Sequence, residues 1–202
     1  MKKIFVTATN TDIGKTYTTL KLMQRYTKEG YRVGALKPIE TGVSQIPPDG
    51  MKLLTLQQRL NPELKDLSIE DVVPITFSLP AAPYIASGQK EISLKKIFEA
   101  VKKFQNHCDV LFIEGAGGLY VPINEKYFMI DLIKDLNVAS TFLVTHCDLG
   151  CINDTLLSKK ALESEKLHHK IIFNCKNGTK NFNEVSKPFF EMCGILQESQ
   201  FI

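Results

Sequence analysis

No stretch of this sequence is apolar for long enough to cross a bilayer. Its longest apolar runs are the length of a strand, whereas a spanning helix needs about 20 such residues. Charge is nearly balanced as well: 25 Lys and Arg against 22 Asp and Glu leave a net charge of +3. No basic run is dense enough to track a nucleic acid or an anionic membrane, so neither is expected as a partner. Cysteine is sparse and unpatterned. Cys108, Cys147, Cys151, Cys175 and Cys193 are odd in number and include no Cys-x-x-Cys. That argues against a disulfide framework or metal cluster and for reduced thiols in a cytoplasmic protein. Residues 1–6 begin like a secretory signal, but polar Thr, Asn and Asp follow at once. Linkers, repeats and low-complexity tracts are missing too. With 202 residues and 44% hydrophobic content, a single domain over 1–202 with one core is expected.

What is present is concentrated in residues 7–16, Thr-Ala-Thr-Asn-Thr-Asp-Ile-Gly-Lys-Thr. An apolar run, Ile4-Phe5-Val6, precedes it and a helical pattern over 17–28 follows. Strand, loop and helix with Gly14-Lys15-Thr16 at the junction is the context of a phosphate-binding loop. The first N–H groups of a helix have no intrahelical partner and its dipole favours an anion there. Gly14 permits close backbone approach, Lys15 can reach the β- and γ-phosphates, and the Thr16 hydroxyl can ligate Mg²⁺. Thr9 stands where the common pattern has its first glycine.

Further along, residues 32–37, 109–114, 139–145 and 170–174 read as buried strands, and 72–77 as an extended, edge-like run because of Pro74. Helical patterns cover 51–59, 128–136 and 181–192. Ser93 is a candidate cap for a helix reaching 105, and Asn153 for one reaching 166. Apolar strands alternating with helices predict an α/β fold, a mostly parallel sheet with helices on both faces. Ligands of such sheets bind at the carboxyl ends of the strands. The phosphate loop, residues 37–42, residues 114–118 and Asn174 all fall there. Taken alone, Lys37 reads as a solvated lysine, Glu114 as a turn flank and Asn174 as a turn residue. Beside a phosphate loop, Lys37 reads as a fixed cation for a transferring phosphoryl group and Glu114 as a Mg²⁺ partner.

Four segments together resemble dethiobiotin synthetase: residues 5–16; Lys37-Pro38-Ile39-Glu40-Thr41-Gly42; Glu114-Gly115-Ala116-Gly117-Gly118; and Leu149-Gly150-Cys151-Ile152-Asn153. The first is similar to that family's long loop Gly-Thr-x-Thr-x-x-Gly-Lys-Thr, with Ala8 in place of its first glycine. The resemblance implies a P-loop fold and an ATP-dependent ligase. It would carboxylate 7,8-diaminononanoate with CO₂ to a carbamate, phosphorylate that to a mixed anhydride, and close the ureido ring of dethiobiotin. Thr11, Asp12, Ile13, Gly14, Lys15, Thr16 and Tyr17 would cradle the triphosphate, and Asn174 would read the base. Thr16, Glu114 and Asp49 would hold Mg²⁺. Lys37, Lys15 and Thr41 would serve the reacting groups, and Gly117 and Gly118 would line the diamine pocket. Gly150, Cys151, Ile152 and Asn153 would bind the substrate carboxylate from the other subunit of a homodimer, with Cys151 as a packing residue.

The sequence departs from the family at its other end. Cys175 follows Asn174 where aspartate is common, and the segment Gly194-Ile195-Leu196-Gln197 lacks a proline. Weak discrimination among nucleoside triphosphates is therefore expected. Two rivals share the fold. Cobyrinic acid amidotransferases carry a further glutaminase domain for which this sequence has no room. Partitioning and division-site switch ATPases carry a lysine five residues before the loop lysine, where Asn10 stands here.

Overall fold

In the computed structural model, which describes all residues except 177, 179 and 181, ten strands and eight α-helices alternate along the described chain. The strands are β1 (Lys2–Ala8), β2 (Val33–Leu36), β3 (Ile39–Thr41), β4 (Ile75–Phe77), β5 (Val110–Glu114), β6 (Pro122–Asn124), β7 (Tyr127–Phe128), β8 (Ser140–His146), β9 (His169–Asn174) and β10 (Gln200–Phe201). The helices are α1 (Lys15–Lys28), α2 (Pro48–Leu60), α3 (Ile69–Val72), α4 (Pro83–Ala86), α5 (Leu94–Lys103), α6 (Met129–Asp135), α7 (Cys151–Ser164) and α8 (Lys187–Met192).

Six strands form one parallel sheet in the order β10-β9-β8-β1-β5-β2. Every residue of β2 and β5 is buried. Helices therefore cover both faces, which is why these strands read as unbroken apolar runs rather than alternating ones. β1 lies at the centre, with β5 and β2 on one side and β8, β9 and β10 on the other. The chain changes direction across β1, and its carboxyl end is the position where such sheets open a ligand crevice.

Several expectations need correction. Residues 72–77 are not one extended run. Val72 closes the single turn of α3, capped by Ser68 and Asp71, and only Ile75–Phe77 pairs, with β3 in a separate two-stranded sheet. Asn153 is not the cap of α7: that helix starts at Cys151 behind Gly150, a glycine at φ 100°. The left-handed conformation, which glycine adopts freely, stops the preceding turn without a side-chain cap. The expected helix over 181–192 is a π-type turn at 182–186 followed by α8, and its start at Asn181 lies outside the described residues. The tail adds β10, unforeseen because two residues carry no period. Phe201 stacks on Phe173 with ring centroids 5.2 Å apart, and Phe182 and Phe190 complete the cluster. Each such ring pair contributes about 0.5–1.5 kcal/mol beyond area burial, enough to hold a two-residue strand. Finally, Cys147 and Cys175 are joined in a disulfide rather than reduced. Register brings them together: His146 pairs with Asn174 across β8 and β9, so the next residue of each strand meets its counterpart, with Cα atoms 4.9 Å apart. Sequence spacing holds no sign of that register.

Candidate active site

The phosphate loop leaves β1 and turns into α1 through Gly14, at φ 95°. Its curvature is held from inside. Thr11 N–H donates to the Asn10 carboxamide oxygen at 2.8 Å, and Lys15 Nζ donates to the Asn10 carbonyl at 3.0 Å. Asn174, at the end of β9, donates its amide to the Ile13 carbonyl at 2.8 Å. A Cβ on Gly14 would lie 2.1 Å from that amide nitrogen. Asn174 thus braces the loop. Lys15 is buried, and this, together with the nearby Lys37, pulls its pKa down to about 8. An ammonium held out of water beside a second cation is poised to gain from an arriving polyanion.

The second half of the site surrounds Glu114, the last residue of β5 and fully buried. Its Oε1 accepts from the Thr16 hydroxyl at 2.7 Å and from Lys37 Nζ at 2.6 Å. Its Oε2 is buried without a hydrogen-bond partner. Lys37 also lies 3.6 Å from Asp49 Oδ2, and Lys52 reaches Asp49 Oδ1 at 3.0 Å. Burial works against the Lys37 ammonium, but Glu114 and Asp49 outweigh it and raise its pKa. Burial likewise opposes the Asp49 carboxylate, and Lys37, Lys52 and Thr16 together lower its pKa. Both groups are therefore charged at neutral pH.

Lys15, Thr16, Lys37, Thr41, Asp49 and Glu114 all line one cavity of about 820 Å³, together with Thr11, Asp12, Gly14, Tyr17 and Gly117. Gly118 is not on that wall. It packs against the loop, where a Cβ would lie 3.3 Å from the Ala8 carbonyl. Gly150, Cys151, Ile152 and Asn153 lie outside this cavity too, at the start of α7. Cys151 is buried, which raises its thiol pKa and keeps it protonated, as a packing residue requires. Three contributors were missed by the sequence reading. The corner Pro80-Ala81-Ala82-Pro83 forms a wall of the cavity, and Lys176 lines both it and a neighbouring cavity of about 330 Å³ bounded by Asn174 and His146. Glu40 is buried and accepts N–H bonds from Asp49 and Gly50, each at 2.9 Å. Proline spacing could have suggested the first; nothing in the local pattern signals the other two.

A loop of backbone and lysine at the end of a central parallel strand, facing a threonine–glutamate pair, defines the class of P-loop nucleotide-binding proteins. Solved structures agree on the fold. A plasmid partition protein from Borrelia burgdorferi superimposes with a TM-score of 0.60 at 11% identity, covering all of this chain and 89% of that one. The MinC:MinD cell division complex of Aquifex aeolicus gives 0.58 at 18%, covering all of this chain and 81% of that one. A family profile described as an AAA domain matches residues 2–195. Sequence relatives narrow the class. The ATP-dependent dethiobiotin synthetase of a Sulfurovum species is 44% identical over 95% of this chain and 90% of its own. That of Wolinella succinogenes is 39% identical over 95% and 89%. The chain belongs to the ATP-dependent dethiobiotin synthetase family.

Proposed function

We propose that this chain is an ATP-dependent ligase that carboxylates 7,8-diaminononanoate with CO₂ and closes it to dethiobiotin, releasing ADP and phosphate. The observation that carries the reading is the meeting of two buried lysines, Lys15 and Lys37, with Thr41 and the Glu114–Thr16 pair in one cavity at the strand ends. Relatives of that name covering nearly the whole chain support it. The chemistry asks the protein for positioning and charge rather than for a nucleophile. Lys15 and the N-terminus of α1 neutralise the polyphosphate. Lys37 faces the oxygens of the carbamate as the phosphoryl group arrives and stabilises the charge that builds between them. Thr41 offers its hydroxyl to the reacting amine. The second amine then attacks the activated carbonyl carbon, forming the C–N bond as phosphate leaves with the C–O bond electrons.

Mg²⁺ fits the donor set. Thr16, Glu114 and Asp49 present only oxygens, and the buried, unpartnered Oε2 of Glu114 is a ready ligand. Among the described residues no three His, Cys, Asp or Glu side chains could hold a metal on their own. A hard octahedral ion that keeps waters and substrate phosphates in its shell needs only one or two carboxylates. When bound, it would offset the negative charge on the phosphoryl oxygens.

The proposal includes a homodimer in which Gly150, Cys151, Ile152 and Asn153 of one subunit receive the carboxylate of a diamine bound in the other. Cys151 N–H is taken by the Asp148 carbonyl at 3.1 Å, but the positive end of the α7 dipole still suits an anion. Exposed Leu149 and Leu157 on that segment give it an apolar face to bury. The switch-ATPase reading has the fold in its favour, but Asn10 carries no charge to reach across an interface, and its carboxamide oxygen is bound to Thr11 of its own loop. Phosphate release with ATP and Mg²⁺ in bicarbonate buffer separates the two. Release that requires the diamine, with one dethiobiotin per phosphate by mass spectrometry, is expected. Hydrolysis indifferent to the diamine would reject the ligase.

A further inference from the structure

The amino end of α2 solves an awkward problem. Its cap position is Pro47 and its first helical residue is Pro48. Prolines have no N–H, so two of the usual orphan donors are missing, and a proline side chain cannot cap the others. Met51 N–H begins the helical ladder by donating to the Pro47 carbonyl at 2.9 Å. That leaves the N–H groups of Asp49 and Gly50. Both are taken by one carboxylate from outside the helix, that of Glu40 in β3: Oε1 by Asp49 and Oε2 by Gly50, each at 2.9 Å. Gly50 has no room to yield, since a Cβ there would lie 2.0 Å from Val73 Cγ2. The helix end is thus clamped between Glu40 and Val73, and the residue held in the clamp is Asp49, whose side chain faces Lys37.

We propose that Glu40 is a positioning residue for the metal–phosphate site, fixing Asp49 through the backbone of α2 so that its carboxylate stays beside Lys37 and Thr16. This rests on the reading of Asp49 as a Mg²⁺ ligand. Glu40 lines the same cavity, yet both its oxygens are committed to backbone donors, so it acts through Asp49 rather than on substrate. A carboxylate suits this role because it supplies two acceptors at the spacing of consecutive helix N–H groups and adds negative charge at the positive end of the helix dipole. Glutamine keeps the shape but turns an NH₂ toward one of the two donors.

The test is a double-mutant cycle read by metal binding rather than by turnover. Mn²⁺ is titrated by electron paramagnetic resonance into the ADP-loaded protein, and ADP binding is measured separately in EDTA. E40Q should weaken Mn²⁺ binding about tenfold, the scale of losses when a residue supporting a metal ligand is changed. It should leave metal-free ADP affinity within about twofold, because the phosphate loop is untouched. D49N should weaken Mn²⁺ at least as much, and E40Q/D49N should be no weaker than D49N alone. If E40Q does not fold, Glu40→Asp enters the same cycle; its shorter arm keeps the charge and gives up one N–H bond. An unchanged Mn²⁺ affinity in the Glu40 variant, with D49N impaired, overturns the inference and leaves Asp49 in place. A Glu40 effect that persists in full in the D49N background overturns it as well, because Glu40 would then act by another route. A D49N protein that binds Mn²⁺ normally removes Asp49 from the metal site and the inference with it. The ligase reading is judged independently, by diamine-dependent phosphate release.

Discussion

At the scale of single residues the site is a small set of charges in which burial and partner charges work against each other. Lys37 is buried, and it remains an ammonium because Glu114 lies 2.6 Å away and Asp49 3.6 Å away. Removing one member of a buried ion pair strands the other, so the informative change is Lys37→Gln, which can still donate to Glu114 but carries no charge. Turnover should fall by about a hundredfold or more, the usual cost of removing one donor aimed at developing charge. ADP affinity, measured by calorimetry, should stay close to that of the parent. Equal losses in both would mean that Lys37 only holds nucleotide. Lys15 differs, since its pKa is down to about 8 in the free protein. An anion bound against it stabilises the charged form and raises that value. As pH rises through the free pKa, a growing fraction of the protein must therefore take up a proton to bind. Calorimetry in buffers of different ionisation enthalpy should find uptake near zero at about pH 6.5 and approaching one proton at about pH 9. A binding enthalpy independent of the buffer at high pH would show that Lys15 does not change its charge.

At the scale of elements, α2 is where local sequence and tertiary demand meet most tightly. Gly50→Ala improves helix propensity on paper. Here its methyl would meet Val73 at 2.0 Å. The expected net effect is a loss of about 1–3 kcal/mol, as for other overpacked positions, read from urea unfolding. A gain in stability would show that the helix end can shift and that the clamp on Asp49 is loose. This element also shows what the sequence could and could not say. Lys37 and Glu114 were legible because each ends an apolar run, and strand ends are where such a sheet gathers its chemistry. Lys15 and Thr16 were legible from the loop pattern. Asp49 could be named only by resemblance, because nothing local says that the helix after β3 folds back onto Lys37. Glu40 left no trace at all: its partners are backbone N–H groups, which nearly every residue carries. For the same reason the tie between Cys147 and Cys175 depends on the register of two strands, and β10 on a stack of phenylalanines from separate segments. Period and spacing report neither.

At the scale of the whole molecule, the residues divide into two sets that this one chain does not unite. The phosphate loop, Lys37 and Asp49 share a cavity, while Gly150, Cys151, Ile152 and Asn153 stand apart at the start of α7. Leu149 is 88% exposed and Leu157 61%, an apolar dressing that suits a surface to be covered. If two copies pair about a twofold axis, each cavity takes its missing wall from the other chain, and the two sets can be separated by genetics. A K37Q chain lacks the charge of its own cavity but offers an intact α7 start. An Asn153→Glu chain has the reverse defect, since Asn153 is exposed and a carboxylate there repels an anionic substrate. Each variant alone should be poor, the second through a raised KM for the diamine. After the two are unfolded together and refolded, random pairing makes about half the dimers mixed, each with one native site of two. About a quarter of the parental activity should then return, with the parental KM. If every site were built within a single chain, the mixture would give only the sum of its parts. A gain above that quarter would mean that unlike chains pair in preference to like ones. On the proposed pairing, sedimentation without nucleotide should show a dimer already formed, because each chain would lend its wall before any substrate arrives.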